Sequence, residues 1–217
     1  MASDPIVKGV IFDLDGTVAN TLPVCFEAFR ATFRIHANRH FTNEEIAAFF
    51  GPSEEGCLQS VLPGDWEAGL ATYLREYEGA HELCPAPFDG IVELLDNLQS
   101  RSVPVAMVTG KGVYSTEISL RRLGLAGRFN PVKTGSAIGA IKPQAIREVL
   151  AEWNIPPERA VYVGDAPGDV IAAREVGVVP LAAAWAGTAD AAALEAATPV
   201  ALFRTVGELQ VWLIERC

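Results

Sequence analysis

Lysine is scarce in this sequence: four of the 217 residues are lysine, and none lies between residues 19 and 85. Basic residues as a whole are outnumbered, with 17 Lys and Arg against 27 Asp and Glu and a formal net charge of -10. A chain without a basic face cannot neutralise many phosphates. The composition therefore excludes nonspecific binding of nucleic acid or of an anionic membrane. A small anionic substrate would need a local positive site.

Cysteine and long apolar runs are also limited. The four cysteines, Cys25, Cys57, Cys84 and Cys217, form no CxxC pair, which favours reduced thiols over a disulfide framework or a zinc site. No stretch approaches the ~20 apolar residues of a membrane span, and no leader pattern of a basic start and an apolar run is present. We expect a soluble cytoplasmic protein.

Half of the residues are hydrophobic, and from residue 86 onward they form alternating patterns. Strand-like apolar runs alternate with helical periodicities, which is typical of repeated strand-helix units. Continuous apolar strands are buried on both faces. We therefore predict an α/β fold, with a Rossmann-like parallel sheet and helices on both faces. The predicted strands are 7–13, 103–108, 129–133, 160–163 and 178–181, and the helices between them are 88–101, 113–123, 143–153 and 169–176.

Residues 19–85 interrupt this rhythm. They contain four helical patterns and no convincing strand, so we interpret them as an inserted helical domain. Two prolines, Pro85 and Pro87, provide a stiff connection back to the sheet. The predicted organisation is a catalytic core of residues 1–18 and 86–217 with a helical cap of residues 19–85, called the cap segment below.

Polar residues follow several of the predicted strands. Because ligands of open parallel sheets bind beyond the carboxyl ends of the strands, these residues are expected to converge. Asp13 and Asp15 come first, and side chains two apart in a strand face the same way, so the pair needs a cation. The other strand-end residues are Thr109, Gly110, Lys142, Asp165 and Asp169.

For most of these residues, a role in local structure alone is an alternative to a functional role. The first pair can belong to a turn, Thr109 can cap the next helix, and Asp165 and Asp169 can be turn and first-turn carboxylates. A role in local structure alone explains Lys142 poorly. With Pro143 as the first helical residue, Lys142 would be the N-cap, where a cation is unfavourable. The conflict disappears if an anion lies over that helix end.

Four motifs in order, DLDGT, VTGK, IKP and GDAPGD, resemble the signature motifs of the haloacid dehalogenase superfamily. The match spans nearly the whole chain. The cap segment resembles the helical cap of the phosphoglycolate phosphatase and β-phosphoglucomutase group.

The resemblance implies a role for each motif residue. Asp13 would be the nucleophile that forms an aspartyl-phosphate, and Asp15 the general acid and then the base. Thr109, the Gly110 amide and Lys142 would bind the phosphoryl oxygens.

It also implies a Mg2+ cofactor. The ion would be held by Asp13, the main-chain carbonyl of Asp15 and Asp165, with Asp169 as a further ligand directly or through water. Hard cations prefer such oxygen ligands.

Alternatives within the family are weaker. The haloacid dehalogenases lack an acid at the position of Asp15, and the phosphonoacetaldehyde hydrolases need a cap lysine, which residues 19–85 do not contain. A β-phosphoglucomutase-like phosphotransferase would have a histidine where this chain has Cys25 and an arginine where it has Glu54. Receiver domains carry similar residues in a different order and no helical insertion. A relative that only binds ligand remains a further alternative, although every catalytic position is filled.

The sequence thus predicts a Mg2+-dependent phosphatase that hydrolyses small phosphate monoesters, with phosphoglycolate as the family's default substrate. It specifies no oligomer beyond a monomer or homodimer. Glu54 and Glu55 are predicted to meet the non-phosphate end of the substrate, to disfavour a second anionic group and to favour neutral or amine-bearing monoesters. The alternative is a helix start with Ser53 as N-cap and two solvated glutamates.

Overall fold

The computed structural model describes residues 6–217. In this part of the chain, six strands form one parallel sheet in the order β3-β2-β1-β4-β5-β6. The strands are β1 Gly9–Phe12, β2 Val105–Val108, β3 Val132–Lys133, β4 Ala160–Gly164, β5 Val179–Ala183 and β6 Ala201–Phe203. The predicted fold class is confirmed.

Helices cover both faces of the sheet. The first four, in the cap segment, are α1 Leu22–His36, α2 Asn43–Ala47, α3 Glu54–Val61 and α4 Trp66–Ala80. The later six are α5 Ile91–Ser100, α6 Val113–Arg122, α7 Lys142–Trp153, α8 Pro167–Val176, α9 Ala191–Ala196 and α10 Val206–Ile214.

The central strand β1 is apolar on both faces because helices cover both. All four of its residues are buried, and successive side chains enter different cores. Val10 and Phe12 pack with α5 and α10, whereas Ile11 packs with α7 and α8. Charged residues are therefore tolerated only beyond the buried part of the strand, at its carboxyl end.

Helices α1 and α4 pack against each other through aromatic side chains. The rings of Phe29 and Tyr73 lie 4.5 Å apart, and Phe29 also stacks on Phe33. Thr42 and Glu45 form a capping box that starts α2. The apolar interior of the cap segment is continuous with the core that packs against β1.

Two elements were not predicted, several predicted boundaries differ by two or three residues, and one boundary bears on the site. The edge strand β6 has three residues, too few for a periodic signal, and α10 follows it directly. Helix α7 begins at Lys142, so Ile141 is its N-cap and the prediction of Lys142 as N-cap was wrong by one residue. The proline is still tolerated because the first helical turn needs no amide donor.

Within residues 6–217, no helix has the length and apolar character that crossing a bilayer requires.

Candidate active site

The carboxyl ends of β1, β2 and β4 open into a cavity of about 700 Å3. The sheet side of this cavity is formed by the strand-end residues that the sequence singled out, and the opposite side by the cap segment. All seven strand-end residues line it: Asp13, Asp15, Thr109, Gly110, Lys142, Asp165 and Asp169. The predicted convergence at this edge of the sheet is therefore seen in the structure.

Asp13 is the first residue after β1 and is 5% exposed. Its backbone N–H donates to the carbonyl of Val163, which extends the pairing of β1 with β4. Nζ of Lys142 lies 3.2 Å from its Oδ1. Burial and, less strongly, the charges of Asp169 and Asp15 raise the pKa of Asp13 to about 7, against the opposing effect of Lys142.

Asp13, Asp165 and Asp169 each offer a carboxylate oxygen, and these oxygens lie within 4.8 Å of one another. Burial and the neighbouring Asp13 and Asp169 raise the pKa of Asp165 to about 8. Oδ1 of Asp13 is buried and, beside its ion pair with Lys142, accepts no hydrogen bond. Crowded carboxylates, one with an oxygen that accepts no hydrogen bond, fit a hard divalent cation such as Mg2+.

Gly16 allows this crowding. It has a φ of +74°, and a Cβ on it would lie 2.0 Å from Oδ2 of Asp165. Only glycine combines that backbone conformation with so close an approach. The glycine of DLDGT therefore brings the first motif against the fourth.

Lys142 is fixed by a second carboxylate. Its Nζ lies 2.5 Å from Oδ1 of Asp169, which also accepts from Tyr162 Oη at 3.3 Å. Oδ2 of Asp169 accepts the Ala166 N–H at the start of α8. Asp169 thus caps its own helix, as expected for a first-turn carboxylate. It also binds Lys142, the lysine that faces Asp13.

Thr109 and Gly110 form the loop after β2. The Thr109 hydroxyl is buried and accepts the Lys111 N–H at 3.2 Å. The N-cap of the following helix is Gly112, so Thr109 does not cap it. Thr109 and Gly110 both line the cavity.

Asp15 lies between the sheet and the cap segment, and its side chain is 20% exposed. Its Oδ1 lies 3.3 Å from Nζ of Lys111 and accepts a hydrogen bond from the Thr21 hydroxyl. Both contacts use the same oxygen. A proton on Oδ2 could therefore be transferred without breaking either.

The two cap glutamates differ in position. Glu54 lines the cavity but is only 7% exposed, so the alternative of two solvated glutamates does not hold for it. It accepts from Gly112 N–H at 2.5 Å and from Ser115 Oγ at 2.6 Å. Glu55 is outside the cavity lining, and its Oε2 accepts from the hydroxyl of Ser53, the N-cap of α3.

Lys111 is the residue of this region to which sequence reasoning gave no role. It is 5% exposed and lies between two carboxylates, 3.3 Å from Asp15 and 3.4 Å from Glu54. The signal available was its place in VTGK, directly after a strand and among only four lysines. Its partner could not be found, because Glu54 is distant in sequence.

Comparisons with known proteins agree with the motifs. Residues 10–183 match the model of the haloacid dehalogenase-like hydrolase family, which confirms the predicted resemblance and the prediction of a hydrolase. Pyrophosphatase PpaX of Anoxybacillus flavithermus is 25% identical over 82% of this chain and 84% of its own length.

Solved structures share the fold. A haloacid dehalogenase-like hydrolase, SP0104 of Streptococcus pneumoniae, superposes with a TM-score of 0.76 at 24% identity, covering 95% of this chain and 98% of that one. CbbY of Rhodobacter sphaeroides, solved in complex with xylulose-(1,5)bisphosphate, gives a TM-score of 0.81 at 20% identity, covering 94% and 96%.

Proposed function

Since the chain belongs to the haloacid dehalogenase-like hydrolases, we propose that it is a Mg2+-dependent phosphatase that hydrolyses small phosphate monoesters through a phosphate ester on Asp13. One observation carries the proposal: Asp13 is buried directly after β1, lines the cavity, and has the Lys142 ammonium 3.2 Å from its Oδ1. The relatives named as a pyrophosphatase and a hydrolase are consistent with such chemistry.

In the first step, a carboxylate oxygen of Asp13 attacks the phosphorus and the bond to the leaving oxygen breaks. Asp15 donates its proton to that oxygen. Lys142, Thr109 and Gly110 line the same cavity, and the ammonium of Lys142, the Thr109 hydroxyl and the Gly110 amide would stabilise the charge on the phosphoryl oxygens.

In the second step, water attacks the phosphorus of the Asp13 ester. Asp15, now a carboxylate, takes a proton from that water, and the bond between phosphorus and the Asp13 oxygen breaks. The products are inorganic phosphate, the free Asp13 carboxylate and a protonated Asp15, ready for another turnover. The cap segment covers the cavity and would limit water during the first step.

Asp13, Asp165, Asp169 and the carbonyl of Asp15 would hold the metal. Mg2+, when bound, neutralises the carboxylates and the incoming phosphate. Both oxygens of Asp169 accept hydrogen bonds, and Asp169 would hold the ion directly or through water.

We further propose that the leaving group is uncharged. Among the described residues, the cations of the cavity lining are Lys111 and Lys142, and each is already paired with two carboxylates. A second anionic group on the substrate would find no unpaired cation in that lining. Phosphoglycolate and pyrophosphate are therefore expected to be poorer substrates than neutral monoesters.

The test is phosphate release from p-nitrophenyl phosphate and a panel of about thirty monoesters, with phosphoglycolate and pyrophosphate included, in Mg2+ or in EDTA. Turnover that needs Mg2+ and disappears in Asp13→Asn is expected. A control variant, Asp96→Asn, removes an exposed carboxylate paired with Arg128 and should keep full activity.

Turnover that persists in Asp13→Asn would overturn the proposed nucleophile. Phosphoglycolate as the best ester by a wide margin would overturn the proposed leaving group while leaving the reaction in place. Phosphate transfer between sugars without release of inorganic phosphate would favour the mutase instead.

A further inference from the structure

Lys111 is a buried cation held between a residue of the sheet domain and one of the cap segment. Its ammonium lies 3.3 Å from Oδ1 of Asp15, 3.4 Å from Oε1 of Glu54 and 4.6 Å from the centroid of the Tyr77 ring. Its side chain is 2% exposed. A buried ammonium is tolerated only with such partners. It is poorly placed to meet a substrate directly.

Glu54 reaches Lys111 from the first residue of α3 and is itself held by the N-terminus of α6. It accepts the Gly112 N–H and the Ser115 hydroxyl, at the end of α6 where the helix dipole favours a negative charge. A Cβ on Gly112 would lie 2.6 Å from Oε2 of Glu54, so glycine permits this approach. The carboxylate therefore joins α3 to the loop after β2.

We infer that Lys111 is a positioning residue for the general acid Asp15, and that Glu54 makes this positioning depend on the docking of α3. The inference rests on the proposed function, because it takes Asp15 as the acid. Asp15 Oδ1 is held by Lys111 from one side and by the Thr21 hydroxyl of the cap segment from another. With α3 displaced, Lys111 loses Glu54 and the carboxylate of Asp15 loses a fixed support.

The leaving group provides a readout that a purely structural role would not change. An alkoxide leaves slowly unless it receives a proton, whereas p-nitrophenolate leaves readily without one. A poorly placed acid therefore slows hydrolysis of alkyl phosphates more than hydrolysis of p-nitrophenyl phosphate. Loss of fold or of substrate binding slows both to a similar extent.

The experiment compares kcat and KM for p-nitrophenyl phosphate and for the best alkyl phosphate of the panel, in Mg2+. In Lys111→Met, kcat for the alkyl ester is expected to fall about 100-fold and kcat for the aryl ester about 5-fold or less. Asp15→Asn sets the benchmark and should show the same inequality more strongly. Glu54→Gln keeps the shape but not the charge, and should show it more weakly.

Two residues that form ion pairs at the surface, Lys133 and Glu78, provide matched control variants. Lys133 pairs with Glu148 and Glu152 at the surface, so Lys133→Met removes a lysine with two carboxylate partners outside the cavity. Glu78 pairs with Arg121 and also joins the cap segment to α6. Lys133→Met and Glu78→Gln should leave the ratio of the two kcat values unchanged, since exposed pairs contribute little.

A double variant distinguishes a positioning role of Lys111 from a disturbance of the fold. Lys111→Met leaves the buried Glu54 carboxylate without a cationic partner, which can disturb the fold. Lys111→Met/Glu54→Gln removes both charges. If Lys111 acts through Asp15, the double variant melts nearer the wild-type temperature yet keeps the unequal loss on alkyl and aryl esters.

Three outcomes overturn the inference. An equal loss on both esters in Lys111→Met shows a structural role, and full recovery in the double variant shows that the unpaired Glu54 was the cause. A loss confined to KM for esters with a second anionic group shows that Lys111 binds substrate. Equal losses in Asp15→Asn, by contrast, overturn the assignment of Asp15 as acid, and a wild type without turnover overturns the proposed function itself.

Discussion

Lys142 and Asp169 are held together at the base of the cavity, with Nζ of the lysine 2.5 Å from Oδ1 of the aspartate. The same ammonium lies 3.2 Å from Oδ1 of Asp13. Asp169 is 2% exposed and is kept in place by the Ala166 N–H and the Tyr162 hydroxyl. This carboxylate was predicted as a metal ligand, and the structure shows that it also orients the lysine.

Asp169→Asn is therefore expected to lower kcat about 10- to 100-fold, even at saturating Mg2+, because Lys142 loses the charge that fixes it beside Asp13. Steady-state kinetics over a range of Mg2+ concentrations measure this. If kcat is retained at high Mg2+ and only the apparent metal affinity falls, Asp169 acts as a ligand and its contact with Lys142 is incidental.

The raised carboxylate pKa values predict how stability depends on pH without metal. Burial raises the pKa of Asp13 from 3.8 to about 7 and the pKa of Asp165 from 3.8 to about 8 in the folded state. Between these values the folded state binds more protons, so stability falls as pH rises from about 4 to about 8. Melting curves in EDTA should show this decline.

Mg2+ should counteract the decline, because it favours the ionised carboxylates. The increase in melting temperature on adding Mg2+ is expected to be larger at about pH 8 than at about pH 5. Asp165→Asn removes one of the crowded charges and should flatten the curve in EDTA. A metal effect independent of pH would contradict the assignment of these carboxylates as ligands.

Sequence reasoning located the sheet edge of the site and placed Glu54 on its cap side, but it did not find the partner of Glu54. Asp13, Thr109 and Asp165 follow buried strands, and parallel strands bring their carboxyl ends to one edge, so their convergence follows from local pattern. The contact between Glu54 and Lys111 joins residues far apart in the chain and depends on how α3 packs. Charge type and spacing carry no information on such a contact.

Gly16→Ala tests the close approach of the first and fourth motifs. A Cβ at this position would lie 2.0 Å from Oδ2 of Asp165, on a backbone with a φ of +74°. The variant is expected to lose at least about 100-fold in kcat/KM and most of its Mg2+-induced stabilisation, because Asp165 must move. Gly187→Ala, where a Cβ meets nothing within 4 Å, is the control. Equal behaviour of the two variants would show that Asp165 has room to shift.

Phe50 tests the proposal that the leaving group is uncharged. Phe50 is 41% exposed and stacks on Phe26 with ring centroids 5.8 Å apart. It lines the cavity together with the apolar residues Leu22 and Phe29. Phe50→Ala should lower kcat/KM for aryl and longer alkyl esters about 5- to 30-fold, because about 1–2 kcal/mol of apolar contact is lost, and should barely change kcat/KM for methyl phosphate.

Ile35→Ala, at an exposed apolar residue outside the lining, is the control. Equal losses for methyl and aryl esters would mean that Phe50 supports the fold of the cap segment without touching the leaving group. A loss that grows with the apolar size of the ester would place the leaving group against Phe50, on a wall that offers an anion no partner.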